Sequence, residues 1–156
     1  MRAFNVLMFG QPGFFTPRFP SPLMAPPTGM DTLSFYDTAP VRKLLDALVD
    51  FDMINASPPR MSVGAVNVRS GNFLYFDTET HPINVSHILA SGALPPGFPA
   101  VNVDGEYYWD GGIVSNTPLN WVLESKERKD TLTFQVDLWN AKGDLPRNLM
   151  EADLRQ

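Results

Sequence analysis

The sequence predicts an α/β fold, because segments with apolar residues at helical spacing are interleaved with segments in which apolar and polar residues alternate. Two turn signals between apolar runs, Ser70-Gly71-Asn72 and Asp104-Gly105, each predict a β-hairpin. The 156 residues are enough for one domain with a core and too few to expect two. We therefore predict a single α/β domain that contains two hairpins.

The first part of the chain gives mixed signals. Residues 2–8 are apolar but too few to decide between a strand and the end of a helix. Residues 10–29 hold six prolines, between Pro12 and Pro27, and prolines interrupt both helices and strands. We therefore predict an irregular loop here. Its side chains are nevertheless apolar (Phe14, Phe15, Phe19, Leu23 and Met24), so it is either a strap packed on the core or a lid or binding loop.

The remaining elements follow from caps and periodicity. A helix from Pro40 to about Val49 is expected after the capping residues Asp37 and Thr38. The other predicted elements are, in order, strands at residues 62–68 and 73–76, a helix from Asn84 or Ser86 to Ser91, strands at 100–103 and 106–109, a helix after Asn116 or Thr117, a strand from Thr131 to Leu138, and a C-terminal helix over 148–156 that looks cut short.

Composition excludes several functions. A net charge of −5 without a basic patch argues against nucleic acid, and the absence of cysteine excludes disulfides and thiolate metal sites. The two histidines lack any metal-binding spacing, so neither a metal nor a cofactor is expected. No signal peptide is recognised, so we expect a cytoplasmic location. The apolar loop is also expected to allow peripheral contact with a membrane.

The most informative motif is Asp110-Gly111-Gly112, which follows the aromatic strand Glu106-Tyr107-Tyr108-Trp109. A carboxylate at a strand end with bare backbone beside it is one way to present a general base. The alternative is a purely structural role, in which the aspartate side chain caps the next turn. Sequence patterns alone leave both open.

Three motifs in this order resemble the C-terminal part of the patatin-like phospholipases. They are the helix from Pro40 to Phe51, the segment Ala90-Ser91-Gly92-Ala93-Leu94-Pro95-Pro96, which is similar to the family's A-S-x-A-x-P segment, and Asp110-Gly111-Gly112, which matches its D-G-[GA] motif. The resemblance implies part of an α/β/α sandwich. It also implies a lipid acyl hydrolase in which a Ser-Asp dyad cleaves the ester, with Asp110 as the base and with Ser91, Pro95 and Asn116 near the site.

The family's glycine-rich oxyanion loop and its G-x-S-x-G elbow have no counterpart in these residues. We therefore expect an incomplete domain that is inactive alone, with the serine supplied by an N-terminal segment. The alternative is a non-catalytic remnant that binds lipid or a partner chain. A third alternative is a fragment of limited stability that has no function of its own. Loss of N-terminal strands would leave a sheet edge exposed, and self-association is then expected.

Two further groups offer weaker hypotheses. His87 and Ser91 are four residues apart and could share a helix face, with Asp110 orienting the histidine, but a helical serine lacks the strained elbow of a nucleophile. His81, beside Pro82, is expected to be a surface loop residue.

Overall fold

The computed structural model describes residues 2–24, 28–56, 58–115, 119–123, 130 and 132–136. The chain divides into two compact units, residues 1–118 and 119–156. The first unit carries nearly all of the described secondary structure. It mixes helices with two antiparallel sheets, as the predicted α/β class requires.

The first unit begins with helix α1, Arg2–Phe9, which settles the choice left open by the sequence. The loop that follows is mostly irregular, as predicted, but Thr16–Pro17 forms a short strand, β1, against β2, Tyr36–Asp37. The prediction of no regular structure is therefore wrong at these two residues. Proline is tolerated because a two-stranded sheet leaves one edge of each strand without a ladder partner.

Two helices follow the small sheet. Helix α2, Ala39–Leu48, lies where it was predicted, although Thr38 at its N-cap makes no side-chain hydrogen bond. Asp37 caps the first turn instead, because its Oδ1 accepts from the backbone N–H of Ala39 at 3.0 Å. A further helix, α3, Phe51–Ala56, was not predicted. Its six residues are too few to show a helical period.

Both predicted hairpins are present and they join into one sheet. Strands β3, Ser62–Asn67, and β4, Phe73–Asp77, form the first hairpin. Strands β5, Val101–Val103, and β6, Glu106–Asp110, form the second. Asp104 and Gly105 both have positive φ, as the Asp-Gly turn requires. The sheet order is β4-β3-β6-β5, because β3 also pairs with β6.

The sheet buries one face against helix α4, Val85–Ser91. Asn84 is the N-cap of this helix and its Oδ1 accepts from the N–H of Ser86 at 2.9 Å. The buried core contains residues of this sheet face, of α4 and of the segment after α4: Ala65, Phe76, Ala90, Ala93, Val101, Val103 and Tyr108. Since alternate residues of a strand share a face, Asp110 lies on the same face as Tyr108, at the end of the core.

The second unit contains helix α5, Leu119–Leu123, in the region where a helix was predicted. The strand predicted over residues 131–138 is wrong where it can be checked, because residues 132–136 are exposed and belong to no strand. Alternation gives a segment two distinct faces, but a strand exists only when a neighbour accepts its backbone hydrogen bonds. The predicted helix at 148–156 and the near-site residue Asn116 lie outside the described residues.

Candidate active site

Asp110 is held at the tip of β6 by contacts to both sides. Its backbone N–H donates to the carbonyl of Ala93 at 3.0 Å, and in the ladder it lies opposite Ala65 of β3. Its side-chain Oδ1 accepts from the N–H of Gly112 at 2.7 Å and so caps a short 3-10 helix, Gly111–Ile113. The capping interpretation of this aspartate is therefore confirmed as geometry, and it fixes the orientation of the carboxylate.

The capping contact uses one of the two carboxylate oxygens of Asp110. Asp110 is half-buried, and within the described part of the chain its Oδ2 makes no hydrogen bond and no cation forms an ion pair with it. The carboxylate is thus oriented through one oxygen while the second can accept a proton from another group. This arrangement suits a general base.

The two glycines next to Asp110 differ in their surroundings. Gly111 is buried, and a β-carbon placed on it would lie 2.6 Å from the carbonyl oxygen of Gly64 and 2.9 Å from Cε2 of Phe73. Only a glycine permits this approach between the 3-10 turn and β3. Gly112 is exposed and contributes the N–H that holds the carboxylate. The motif therefore joins close packing to carboxylate orientation.

The segment after α4 lies directly against Asp110. Ala93, whose carbonyl accepts the N–H of Asp110, is buried, whereas the neighbouring Leu94 is exposed. On the other side of Asp110, Ile113 and Val114 are also exposed. Leu94 thus follows the residue that bonds to Asp110, and Ile113 and Val114 follow the motif itself. An acyl chain is a ligand that exposed apolar side chains of this kind can contact.

Ser91 is not arranged as a nucleophile. Its hydroxyl donates to the carbonyl of Ile88 at 2.9 Å, a bond within its own helix. His87 is buried, and its Nδ1 accepts from the N–H of Asn84 at 2.9 Å rather than from a serine. The structure thus contradicts a His87–Ser91 pair oriented by Asp110. The ring of His87 accepts a hydrogen bond at the N-terminus of α4, and the hydroxyl of Ser91 donates one within its last turn.

Pro95 is half-buried in the loop that joins α4 to β5. The loop is held by β2 and its preceding residue, since the N–H groups of Phe35 and Tyr36 donate to the carbonyls of Pro96 and Gly97, both at 3.0 Å. Pro95 therefore belongs to a loop anchored on the small sheet. No described contact joins it to the carboxylate of Asp110.

The sequence analysis missed a hydrogen-bonded serine–aspartate pair. The hydroxyl of Ser62 donates a short hydrogen bond to Oδ2 of Asp77, and both residues border the first hairpin. Asp77 is fully buried and also pairs with Arg60, whose Nη2 lies 2.7 Å from Oδ2. The hydrogen bond to Asp77 raises the pKa of Arg60. Because the guanidinium of Arg60 neutralises the carboxylate of Asp77, we interpret the two side chains as a structural ion pair and not as a site for a general base.

An open cavity of about 480 Å³ lies beside this pair, and Asp110 is not among its lining residues. It is lined by Met53, Ile54, Pro58, Pro59, Arg60, Met61 and Ser62. No signal in the sequence indicated it, since its walls come from a helix, a proline pair and a strand start. Among the described residues no three His, Asp or Glu side chains are grouped as a metal site.

The family model of the patatin-like phospholipases matches residues 9–122. The chain belongs to the patatin-like phospholipase family. The matched region includes all three motifs that carried the resemblance, so the predicted family and its α/β fold are confirmed. The comparison with curated proteins and the comparison with solved structures each gave no significant match.

Membership of the patatin-like family assigns the chain to the lipid acyl hydrolases at the level of the family. It does not assign roles to single residues. For Asp110, Ser91 and Pro95 only the contacts given above are available, and Asn116 lies outside the described residues. In the described part of the chain no helix has the length and apolar character needed to cross a membrane.

Proposed function

We propose that Asp110 is the general base of a Ser-Asp acyl hydrolase that cleaves lipid esters. The observation that carries this proposal is the arrangement of its carboxylate, which the N–H of Gly112 holds through Oδ1 while Oδ2 makes no described contact. A base that acts directly on a serine must be fixed in direction and must keep one oxygen for the proton.

In the proposed reaction, Asp110 takes the proton of a serine hydroxyl while the serine oxygen attacks the carbonyl carbon of the ester. The tetrahedral intermediate collapses, and the alcohol leaves with the proton returned by Asp110. Water then attacks the acyl-serine, again with its proton taken by Asp110. That proton passes to the departing serine oxygen as the fatty acid is released, which restores the serine hydroxyl and the carboxylate. The exposed Leu94, Ile113 and Val114 would contact the acyl chain.

The nucleophile is proposed to come from a segment outside these 156 residues. Of the described serines, Ser62, Ser86 and Ser91 bond to Asp77, Arg42 and Ile88 respectively, and none forms a described hydrogen bond with Asp110. The chain purified alone is therefore expected to show no turnover of p-nitrophenyl acyl esters and no labelling by a fluorophosphonate probe.

The test supplies the missing group. The chain is mixed with, or fused behind, a segment that carries the glycine-rich loop and the G-x-S-x-G elbow of a patatin-like relative, and ester hydrolysis is measured. We expect activity to appear and to fall about 10²–10⁴-fold in Asp110→Asn. Asp104→Asn, in an exposed turn, is the matched control and should retain activity. Activity that survives Asp110→Asn would contradict the proposal.

A second candidate function is a non-catalytic module that binds lipid or a partner chain. The exposed apolar side chains beside Asp110 favour it equally, because they need a covering partner whether or not chemistry follows. The same experiment separates the two functions: complementation that restores association but no hydrolysis would support the binding module.

A further inference from the structure

Helix α1 carries an apolar face that is largely exposed in the described part of the chain. Phe4 and Met8 are 65% and 55% exposed, and Leu7 between them is also exposed. Residues spaced i, i+3 and i+4 lie on one side of a helix, so these three side chains form one continuous face. A helix in a folded domain normally turns such a face inward.

The exposure of this face does not come from a detached helix. The hydroxyl of Tyr36 donates to the carbonyl of Leu7 at 2.9 Å, and the N–H of Gly10 donates to the carbonyl of Val6 at 2.8 Å. Helix α1 also contacts strand β1. Since Val6 is half-buried, the helix is fixed to the domain by one side while Phe4, Leu7 and Met8 face away from it.

The proline-rich loop adds a second group of uncovered apolar side chains. Phe19, two residues after β1, is 100% exposed, and Leu23 and Met24 are also largely exposed. In contrast, Phe15 of the same loop packs on Tyr36 and Phe98. The loop is therefore packed on the domain at Phe15 and exposes its apolar side chains from Phe19 to Met24. We call the six exposed side chains of the helix and the loop the outer apolar surface: Phe4, Leu7, Met8, Phe19, Leu23 and Met24.

Charge distinguishes this surface from the rest of the chain. Residues 1–30 contain Arg2 and Arg18 and no acidic residue, so all 17 aspartates and glutamates of the chain lie beyond residue 30. Two acidic residues lie beside this region. Asp37 is opposite Thr16 in the ladder, 3.9 Å from the guanidinium of Arg18, and the carbonyl of Asp31 accepts from that guanidinium at 2.7 Å. The residues of the outer apolar surface thus belong to a stretch of an acidic protein that brings no acidic side chain of its own to phosphate headgroups.

We propose that the outer apolar surface binds a phospholipid membrane surface, with the side chains of Phe4, Leu7 and Met8 inserted at the headgroup–acyl boundary. A short helix with Phe, Leu and Met exposed on one face and without acidic side chains has the properties of an interfacial segment. This binding goes beyond the proposed function and does not depend on chemistry at Asp110.

The test uses the full 156-residue chain and vesicles of ether-linked phosphatidylcholine and phosphatidylglycerol, which cannot be hydrolysed as esters. Flotation measures the bound fraction of the wild type, of Phe4→Gln/Met8→Gln and of Leu44→Gln/Leu48→Gln. The control pair has the same i, i+4 spacing on α2 and similar exposure, 45% and 74%. Circular dichroism checks that both variants keep the fold, and Phe19→Gln provides a single change at a fully exposed site.

We expect the wild type and the control pair to float with the vesicles, and Phe4→Gln/Met8→Gln to bind about tenfold less or weaker still. Asp110→Asn should bind like the wild type, which separates this proposal from the proposed function. No flotation of the wild type, or equal losses in both double variants, would overturn the proposal. So would a stable dimer that Phe4→Gln/Met8→Gln dissociates and that shows no vesicle binding, because a second copy would then cover the surface.

Discussion

Asp110 and Ala93 are joined by a backbone hydrogen bond of 3.0 Å that links the tip of β6 to the segment following α4. This bond brings two of the three family motifs together, since Ala93 belongs to the Ala90–Pro96 segment and Asp110 begins the Asp-Gly-Gly motif. The carboxylate is therefore positioned by main-chain contacts on both sides. Side-chain substitutions at residue 110 should leave this backbone frame intact.

The first prediction concerns the close approach at Gly111. We expect Gly111→Ala to lower the free energy of unfolding by about 1–3 kcal/mol, because the added methyl group would meet the carbonyl of Gly64 and the ring of Phe73. Urea unfolding measures the change. Gly92→Ala is the control, since nothing lies within 4 Å of its added β-carbon and its φ of −115° suits alanine. Equal stability of the two variants would contradict the packing role of Gly111.

Local signals predicted much of this fold because they depend on residues close in sequence. The Asp104-Gly105 turn has the positive φ values that its sequence requires, and Asn84 caps α4 as its side chain predicts. Pairing between β3 and β6 could not be predicted, since strands about forty residues apart are matched by the packing of the whole face and not by a local pattern. The assembled sheet order therefore had to come from the structure.

The site shows the same division. Asp110 was recognised from a strand followed by two glycines, but the neighbour that holds its backbone, Ala93, is seventeen residues away and carries no chemical signal. The ion pair of Asp77 with Arg60 was missed for the same reason. Charged residues look alike in a sequence whether they are solvated or buried, because burial is decided by the elements that pack around them.

The second prediction tests the ion pair between Asp77 and Arg60. Asp77→Asn should lower the free energy of unfolding by about 2–3 kcal/mol, because it removes the charge that Arg60 faces. The value is below that of a fully buried pair, since the Arg60 side chain is 33% exposed. Glu79→Gln is the control: Glu79 also pairs with Arg60, at 3.1 Å, but is largely exposed, so a change below about 1 kcal/mol is expected. Thermal and urea unfolding should give the same change in stability. An Asp77→Asn variant as stable as the wild type would refute the structural role of the ion pair.

The third prediction concerns the anchored end of the proline-rich loop. Phe15 packs with ring centroids 4.8 Å from Tyr36 and 5.3 Å from Phe98. Phe15→Ala should destabilise the protein by about 1–2 kcal/mol, less than a fully buried phenylalanine because Phe15 is half-buried. Amide exchange at Phe35 and Tyr36, which bond to the Pro96–Gly97 loop, should quicken in the same variant.

Phe19→Ala is the matched control for Phe15→Ala, because Phe19 lies in the same loop and is fully exposed. It should leave the unfolding midpoint unchanged. If both variants lost stability equally, the packing of Phe15 on Tyr36 and Phe98 would not be what holds the loop.

The last prediction is a pH dependence of stability that originates in His87. Burial lowers the pKa of His87, and the nearby His81, with ring centroids 4.8 Å apart, lowers it further. Asp104 raises it, though less, from a position 3.6 Å from His81. Within the described residues Nε2 of His87 has no hydrogen-bond partner, and its Nδ1 accepts from Asn84. Protonation would therefore put a charge in the core and break the cap of α4.

The sign follows from the lowered pKa. In the unfolded chain His87 has its ordinary pKa of 6.5, so it binds a proton as the pH falls below that value. In the folded protein the lowered pKa keeps His87 neutral. Between the two pKa values acid therefore favours unfolding. Stability should be fully present above pH 6.5 and should fall as the pH decreases from 6.5 toward the lowered folded pKa. Urea unfolding at several pH values measures the slope. His87→Gln should flatten it, since a glutamine carbonyl can still accept from Asn84. His81→Gln should keep most of the slope, because burial, the larger cause of the lowered His87 pKa, remains. An unchanged slope in His87→Gln would assign the acid sensitivity to other groups.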